Sequence, residues 1–387
     1  MLDEPLFLLA VLSLNVALSE WLVRKTFLRH LGTALLVIVV TAIVANVGLI
    51  PTYSDEIPVY RGTFAFVAPL AIFWLLLGVR LKDVVSAGRP MLLLFGLGAI
   101  GTSTGVLLGM SLVNGPEVFG DMHHALGGMF VGTYTGGSVN FNAIALEYDV
   151  VRDGALYAGA AAVDSLMTTV WMAVNLVVPR IFARRWPGAR ETKTLETPEV
   201  DLGIGDDTES LHPIDLGWLV ALGGLSVALS NSLATWMREA WGIALPSILI
   251  LTTLALILAQ LPVVARLQGT RTLGMYAVYL FLAVIGALCD VEALRSIGSL
   301  GLWIFLFVCV VLAVHGAIVY GAAALGKIDP VTASVASQAN VGGGTSALAL
   351  ARSLGRSDLV LPAILVGALG NAVGTYLGFL TAGYLGS

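Results

Sequence analysis

Apolar residues run through this chain in long blocks, each near the length of roughly 20 residues that a helix needs to cross a bilayer. Blocks fall at 6–23, 31–50, 62–79, 90–113, 124–146 and 155–179. After a polar stretch at 180–213 they resume at 214–236, 242–262, 273–289, 297–325, 331–351 and 359–385. Two blocks are broken by glycine and polar residues. The first break reads Gly132-Thr133-Tyr134-Thr135-Gly136-Gly137-Ser138-Val139-Asn140-Phe141-Asn142-Ala143. The second reads Gln338-Ala339-Asn340-Val341-Gly342-Gly343-Gly344-Thr345-Ser346-Ala347. In lipid an irregular backbone leaves N–H and C=O groups unpaired, at several kcal/mol each, so such a break survives only where protein, water or a ligand satisfies it. Two breaks at matching places in two halves point to the binding site of a membrane transporter.

The two sets of six blocks align as repeats, 1–179 and 214–387, joined by the linker 180–213. Val16-Ala17-Leu18-Ser19-Glu20 returns as Val227-Ala228-Leu229-Ser230-Asn231. Leu35-Leu36-Val37-Ile38 through Leu49-Ile50-Pro51 resembles Ile248-Leu249-Ile250 through Gln260-Leu261-Pro262, and Gly78-Val79-Arg80-Leu81-Lys82-Asp83 sits opposite Gly286-Ala287-Leu288-Cys289-Asp290. The last block of each half carries a polar pair at i,i+4 spacing, Asp164 with Thr168 and Asn371 with Thr375. The consistent order of these matches makes them a repeat.

Basic residues then decide the orientation. If each broken block is a re-entrant hairpin and the N-terminus is outside, one side collects Arg24, Lys25, Arg29, Arg80, Lys82, Arg89, Arg180, Arg184, Arg185, Arg190 and Lys193. The same side takes Arg266, Arg271, Lys327, Arg352 and Arg356, while Asp3, Glu4, Asp55, Glu56, Glu117, Asp121, Glu147, Asp149 and Asp153 fall outside. The positive-inside rule therefore favours ten crossings plus two hairpins entering from opposite faces, with both termini outside; a discontinuous helix that crosses is the alternative. The linker begins basic, turns acidic between Glu191 and Glu209, and reads as a cytoplasmic connector.

Composition agrees with the block pattern. Of 387 residues, 57% are hydrophobic and 12% charged, against about 25% charge in soluble domains, and the mean hydropathy is +0.90. The 44 glycines suit close helix packing in lipid. Asp3 and Glu4 precede the first block without a basic n-region or small-residue cleavage site, so the block reads as a first span and not a removed signal peptide. Cys289 and Cys309 match no disulfide framework or metal-ligand spacing and read as core residues. There is no Walker loop, dinucleotide fingerprint, zinc motif or Gly-Asp protease pair, so no enzyme and no organic cofactor are expected, and no nucleic-acid partner.

Candidate chemistry gathers at the breaks. A helix restarting inside the membrane exposes N–H groups that suit an anion. Thr135, Gly136, Gly137, Ser138, Asn140, Asn142, Gln338, Asn340, Gly342, Gly343, Gly344, Thr345 and Ser346 are the expected solute-binding residues. By contrast, Gly98, Gly101, Gly105 and Gly109, and Gly367, Gly370, Gly374 and Gly378, have the spacing of packing stripes. Asp164 is the one acid well inside a block of the hairpin-bearing segments, and a carboxylate at depth marks an ion path or proton relay. It either titrates or ligates a cation such as Na+ with Thr168; a neutral, hydrogen-bonded structural Asp is the alternative. Asn371 and Thr375 offer a second ion-coupling position. Glu20 reads as an interfacial residue, His315 as a satisfied core histidine more than a relay, and His123 and His124 as outer-surface residues.

These residues resemble the YjcL-like family of bacterial and plastid membrane proteins over nearly the whole chain. The shared features are Gly132 to Asn142, the Asp164 block, Gln338 to Ser346 and the Gly370-Asn371 block. More distantly the chain is similar to the superfamily of cation/proton antiporters and anion transporters, which includes the bile-acid and glutamate sodium symporters and the 2-hydroxycarboxylate transporters. The last of these carry Gly-Gly-x-Gly hairpin tips, a pattern that Gly136-Gly137-Ser138-Val139 and Gly342-Gly343-Gly344-Thr345 each meet in part. The resemblance implies an elevator-type core, 90–179 and 297–385, moving against scaffold helices 6–79 and 214–289, usually in a homodimer in the bacterial inner membrane. The expected function is symport of an amino acid, short peptide or carboxylate with Na+ or H+. A cation/proton antiporter exchanging at Asp164 is the alternative, and a membrane scaffold or sensor is a third reading.

Overall fold

The computed structural model describes residues 4–26, 28, 32–52, 57–182, 211–243, 245–289 and 291–387. The linker residues 183–210, and with them Arg184, Arg185, Arg190, Lys193 and the acidic run, lie outside the described residues, as do Asp3, Arg29, Asp55, Glu56 and Asp290.

The described residues are helical throughout, without strands. The first half holds α1 (Pro5–Lys25), α2 (Gly32–Asn46), α3 (Pro58–Gly62), a π-helical turn (Thr63–Val67), α4 (Ala68–Leu76), α5 (Leu81–Val84), α6 (Arg89–Leu112) and α7 (Gly115–Phe119). It continues with α8 (His123–Gly136), α9 (Ser138–Glu147) and α10 (Gly154–Phe182). The second half holds α11 (Pro213–Trp241), α12 (Ser247–Ala259), α13 (Thr270–Leu288), α14 (Val291–Leu325), α15 (Pro330–Val341), α16 (Gly343–Ser353) and α17 (Val360–Leu385). Among the described residues eight helices are long and apolar enough to cross a bilayer, and α2 and α12 are shorter apolar helices. The broken blocks become α8–α9 and α15–α16. With 14 and 10 residues in the first pair and 12 and 11 in the second, at 1.5 Å per residue no arm exceeds about 21 Å of a roughly 30 Å hydrocarbon core.

The chain divides into two compact units: 1–77 with 145–166 and 211–305, and 78–144 with 167–210 and 306–387. In the first, α13 is the central helix, packed on α2 and α4 and buried from Leu280 to Ala287. Gly286 brings it against the α2 backbone, since a Cβ there would lie 2.5 Å from the Ile38 carbonyl oxygen. The Trp74 indole of α4 donates to the Leu219 carbonyl of α11 at 2.9 Å.

In the second unit the most extensive helix pair is α8 with α17. Their glycines meet in antiparallel register: Gly128 against Gly378, Gly132 against Gly374, and Gly136 against Gly370. A Cβ on Gly136 would fall 2.0 Å from the Gly370 carbonyl carbon, and one on Gly378 would fall 2.7 Å from the Gly128 carbonyl oxygen. Backbone lies on backbone. The stripe on α6 packs the same way along α14, Gly101 on His315, Gly105 on Val311 and Gly109 on Phe307, as its spacing predicts. In lipid, where no hydrophobic difference drives helices together, this proximity supplies the van der Waals attraction that does.

Because a side chain has nowhere to go, Gly136→Ala should destabilise the protein by about 3 kcal/mol or more. Gly217→Ala on α11, where a Cβ would meet nothing within 4 Å, should be neutral or stabilise by up to about 1 kcal/mol. Thermal unfolding of the two purified variants checks this, and equal midpoints would refute the backbone contact.

Candidate functional site

Each broken block folds back on itself as a helical hairpin. In the first, Gly137 takes φ 106° between α8 and α9, in the left-handed region that favours glycine. α9 then returns along α8, with Asn140 against Gly132 and Ile144 against Gly128. The Asn140 amide donates to the Gly132 and Gly370 carbonyls, both at 3.3 Å, and its oxygen accepts the Thr375 hydroxyl at 2.7 Å. Fully buried, Asn140 ties both arms of the hairpin to α17.

In the second hairpin Gly342 separates α15 from α16, and Gly343, the first residue of α16, takes φ 74°. Gln338 on the outgoing arm donates to the Ser346 hydroxyl on the returning arm at 3.1 Å, and that hydroxyl donates to the Gly343 carbonyl at 3.1 Å. α16 then lies on α17, with a Cβ on Gly367 only 2.3 Å from the Gly344 backbone. At its open end Asp329 caps α15, accepting from the Thr332 amide and hydroxyl at 3.1 and 2.9 Å, and pairs with Arg356 at 2.5 Å. Arg356 is thus engaged at the hairpin's mouth, where it also pairs with Asp358 at 2.7 Å.

The two tips meet. A Cβ on Gly137 would lie 3.9 Å from the Gly343 Cα, and one on Gly343 would lie 3.5 Å from the Gly136 carbonyl oxygen. Glycine precedes each returning helix, so α9 and α16 begin without a capping side chain. Their first N–H groups therefore face the tips with Ser138 and Thr345, both exposed. Asn371 is half-buried beside them, its oxygen 3.9 Å from a Cβ on Gly137. Two further oxygens, Thr135 Oγ1 and Asn340 Oδ1, are buried with no hydrogen-bond donor among the described residues; Asn340 donates through its nitrogen to the Thr135 carbonyl at 3.4 Å. Helix N-termini attract negative charge, while unmet carbonyl-type oxygens attract positive charge or protons.

Of the sequence-predicted residues, this junction brings together Thr135, Gly136, Gly137, Ser138, Asn140, Asn340, Gly342, Gly343, Thr345, Asn371 and Thr375. Gly136 and Gly344 both pack against α17. Asn142 is buried on α9. Thr168 lies near the second tip, its methyl 3.0 Å from a Cβ on Gly342. Asp164 is half-buried one turn earlier in α10 and belongs to the first compact unit. Glu20 pairs with Arg24 at 2.7 Å and accepts the Thr33 hydroxyl at 2.7 Å.

A polar ladder along α15 escaped the sequence reading. Ser337 accepts the Trp171 indole at 2.9 Å and contacts His315 Nε2 at 2.9 Å. The His315 Nδ1 faces the Gly98 carbonyl and the Thr102 hydroxyl, each at 3.0 Å. Gln338 accepts the Asn175 amide at 2.9 Å, and Tyr320 joins Asn175 to Ser334 at 2.5 and 2.9 Å. His315 is thus a satisfied buried residue, as its sequence context favoured. The available signal was the spacing of Ser334, Ser337, Gln338 and Asn340, a polar face on a helix surrounded by apolar blocks.

Fold and site together define an all-helical, multi-pass membrane protein. The chain belongs to the family described as "Protein of unknown function (DUF819)", whose sequence model matches residues 6–387. It is 28% identical over 358 residues to the "Uncharacterized membrane protein YjcL" of Bacillus subtilis (strain 168), covering 88% of this chain and 87% of that protein. The resemblance drawn from the two breaks therefore holds at the level of this family.

Asn140 and Asn371 should behave differently. Removing the fully bonded amide in Asn140→Ala leaves buried carbonyls and a hydroxyl unmet and should cost about 2 to 3 kcal/mol. Asn371→Ala should stay within about 0.5 kcal/mol. Thermal unfolding checks the pair, and a larger loss for Asn371 would contradict the bonding described.

Proposed function

We propose that this protein is a secondary active transporter of a small organic solute bearing a carboxylate, coupled to Na+ or H+. The observation that carries the reading is the meeting of two glycine-tipped hairpins whose returning helices start uncapped at the same point. Two N-terminal dipoles aimed at one place favour an anionic group, and with no Lys or Arg at the tips they are the source of that attraction. Ser138, Thr345 and Asn371 supply neutral hydrogen bonds to the rest of the solute, which suits an amino acid, short peptide or carboxylate.

In this reading the halves are inverted repeats, so the hairpins enter from opposite faces and their tips meet near the midplane. The hairpins and α17 travel as the core of an elevator, in a homodimer in the bacterial inner membrane with both termini outside, as the distant superfamily likeness suggests. Asp164 handles the coupling ion with Thr168, and Asn371 and Thr375 form its unequal counterpart in the other half. A half-buried carboxylate whose partner in the repeat cannot ionise also supports a second reading, a cation/proton antiporter exchanging at Asp164.

Flux into proteoliposomes decides. Uptake of a carboxylate solute should follow an imposed Na+ or H+ gradient, fall at least tenfold in a Ser138→Ala, Thr345→Ala double variant, and lose its gradient dependence in Asp164→Asn. Cation-driven pH change without any solute effect would overturn the symport reading in favour of the antiporter. Unchanged gradient dependence in Asp164→Asn would remove the ion role from that residue.

A further inference from the structure

The first compact unit contains a cavity of about 210 Å³ between the π-helical turn, the end of α9, the middle of α11 and the start of α12. Among its apolar lining stand four side chains with oxygen, those of Glu147, Ser230, Asn231 and Ser247. We propose that this cavity is a sodium-binding site, with the Glu147 carboxylate as its charged ligand.

Each oxygen has a local reason to be available. Glu147 is the last residue of α9, ten residues or about 15 Å from the hairpin tip. The Ile248 amide at the start of α12 hydrogen-bonds to its carboxylate, doing the capping that Pro246 cannot do. One hydrogen bond leaves a carboxylate with most of its acceptor capacity. Ser230 is buried and gives its proton to the Ser226 carbonyl at 2.7 Å, so toward the cavity it presents lone pairs only. The π-helical turn at Thr63–Val67, where the Ala68 amide reaches back to the Thr63 carbonyl, shifts this stretch out of α-helical register, a distortion common at functional positions.

A carboxylate, hydroxyls and a carbonyl form a hard, all-oxygen donor set with a single negative charge, which matches a small monovalent cation and not a transition metal. Burial pushes the Glu147 carboxyl up from the usual carboxylate range; the Ile248 amide opposes this, Asp149 adds to it and Arg238 opposes it. Tyr148, the neighbouring titratable group, is itself pushed up, by burial first and then by Glu147. The site is built from the first unit alone.

The test is the sodium dependence of thermal unfolding of the full chain in detergent, with NaCl replaced by choline chloride or KCl at constant ionic strength. The midpoint should rise with Na+ to saturation and respond at least tenfold more weakly to K+. Glu147→Gln keeps an oxygen for the Ile248 amide and should abolish the rise; Ser230→Ala should increase the half-saturating concentration about tenfold. Should Glu147→Gln not fold, Ser230→Ala carries the test. A flat wild-type response, or a wild-type Na+ response in either variant, overturns the proposal. Gly217→Ala, on α11 outside the cavity lining and with nothing within 4 Å of an added Cβ, should keep the full response. A response lost in Asp164→Asn but retained in Glu147→Gln would sink this site and leave the transport reading standing.

Discussion

The second compact unit depends on three places where α8 and α17 touch backbone to backbone. At Gly136–Gly370 backbone meets backbone directly, while at Gly132–Gly374 and Gly128–Gly378 the side chains of Asn140 and Ile144 from α9 also press into the contact, and the antiparallel register follows from glycines four apart on both helices. That register determines what comes next. It sets Asn140 where it reaches carbonyls on α8 and α17 and the hydroxyl of Thr375 at once. It also leaves Gly137, one residue beyond the last contact, at the very edge of the packed surface.

A break inside a bilayer must settle its unpaired groups, and the two hairpins do so by different chemistry at equivalent positions. Three residues past the tip glycine stands Asn140 in the first and Ser346 in the second. Asn140 donates to a carbonyl five residues before its tip, while Ser346 receives an amide proton from Gln338, five residues before its own. The geometry is shared though donor and acceptor are exchanged. What neither hairpin settles is the start of its returning helix, where a glycine stands in the capping position. Those N–H groups have no side-chain cap, and they are what the proposed solute site rests on.

Much of this was legible in the sequence, and the limits have a physical pattern. The break positions could be read because paired glycines among Ser, Thr and Asn are incompatible with an undisturbed span. The stripe from Gly98 to Gly109 could be read because its period of three to four residues is that of one helix face. The division of labour between neighbours could not. Gly136 packs and Gly137 turns, though they are adjacent and identical, because only the placement of α17 separates them. Trp171 and Asn175 looked like ordinary span residues, since their value lies in facing Ser337 and Gln338 on a helix more than 150 residues away. The π-helical turn left no signal beyond Pro69.

The same contacts restrict how the proposed transporter can work. Hairpin one is fastened to α17 through Gly136–Gly370 and Asn140–Thr375, and hairpin two through Gly344–Gly367. Both tips therefore hang from one helix. Parting them to release solute would separate glycine faces whose attraction depends on contact distance and would expose the Asn140 carbonyl partners to lipid, at roughly 1–3 kcal/mol for each group left unmet. Moving the hairpins together with α17 disturbs none of these contacts. For the proposed transporter, movement of both hairpins together with α17 is thus cheaper than parting the tips.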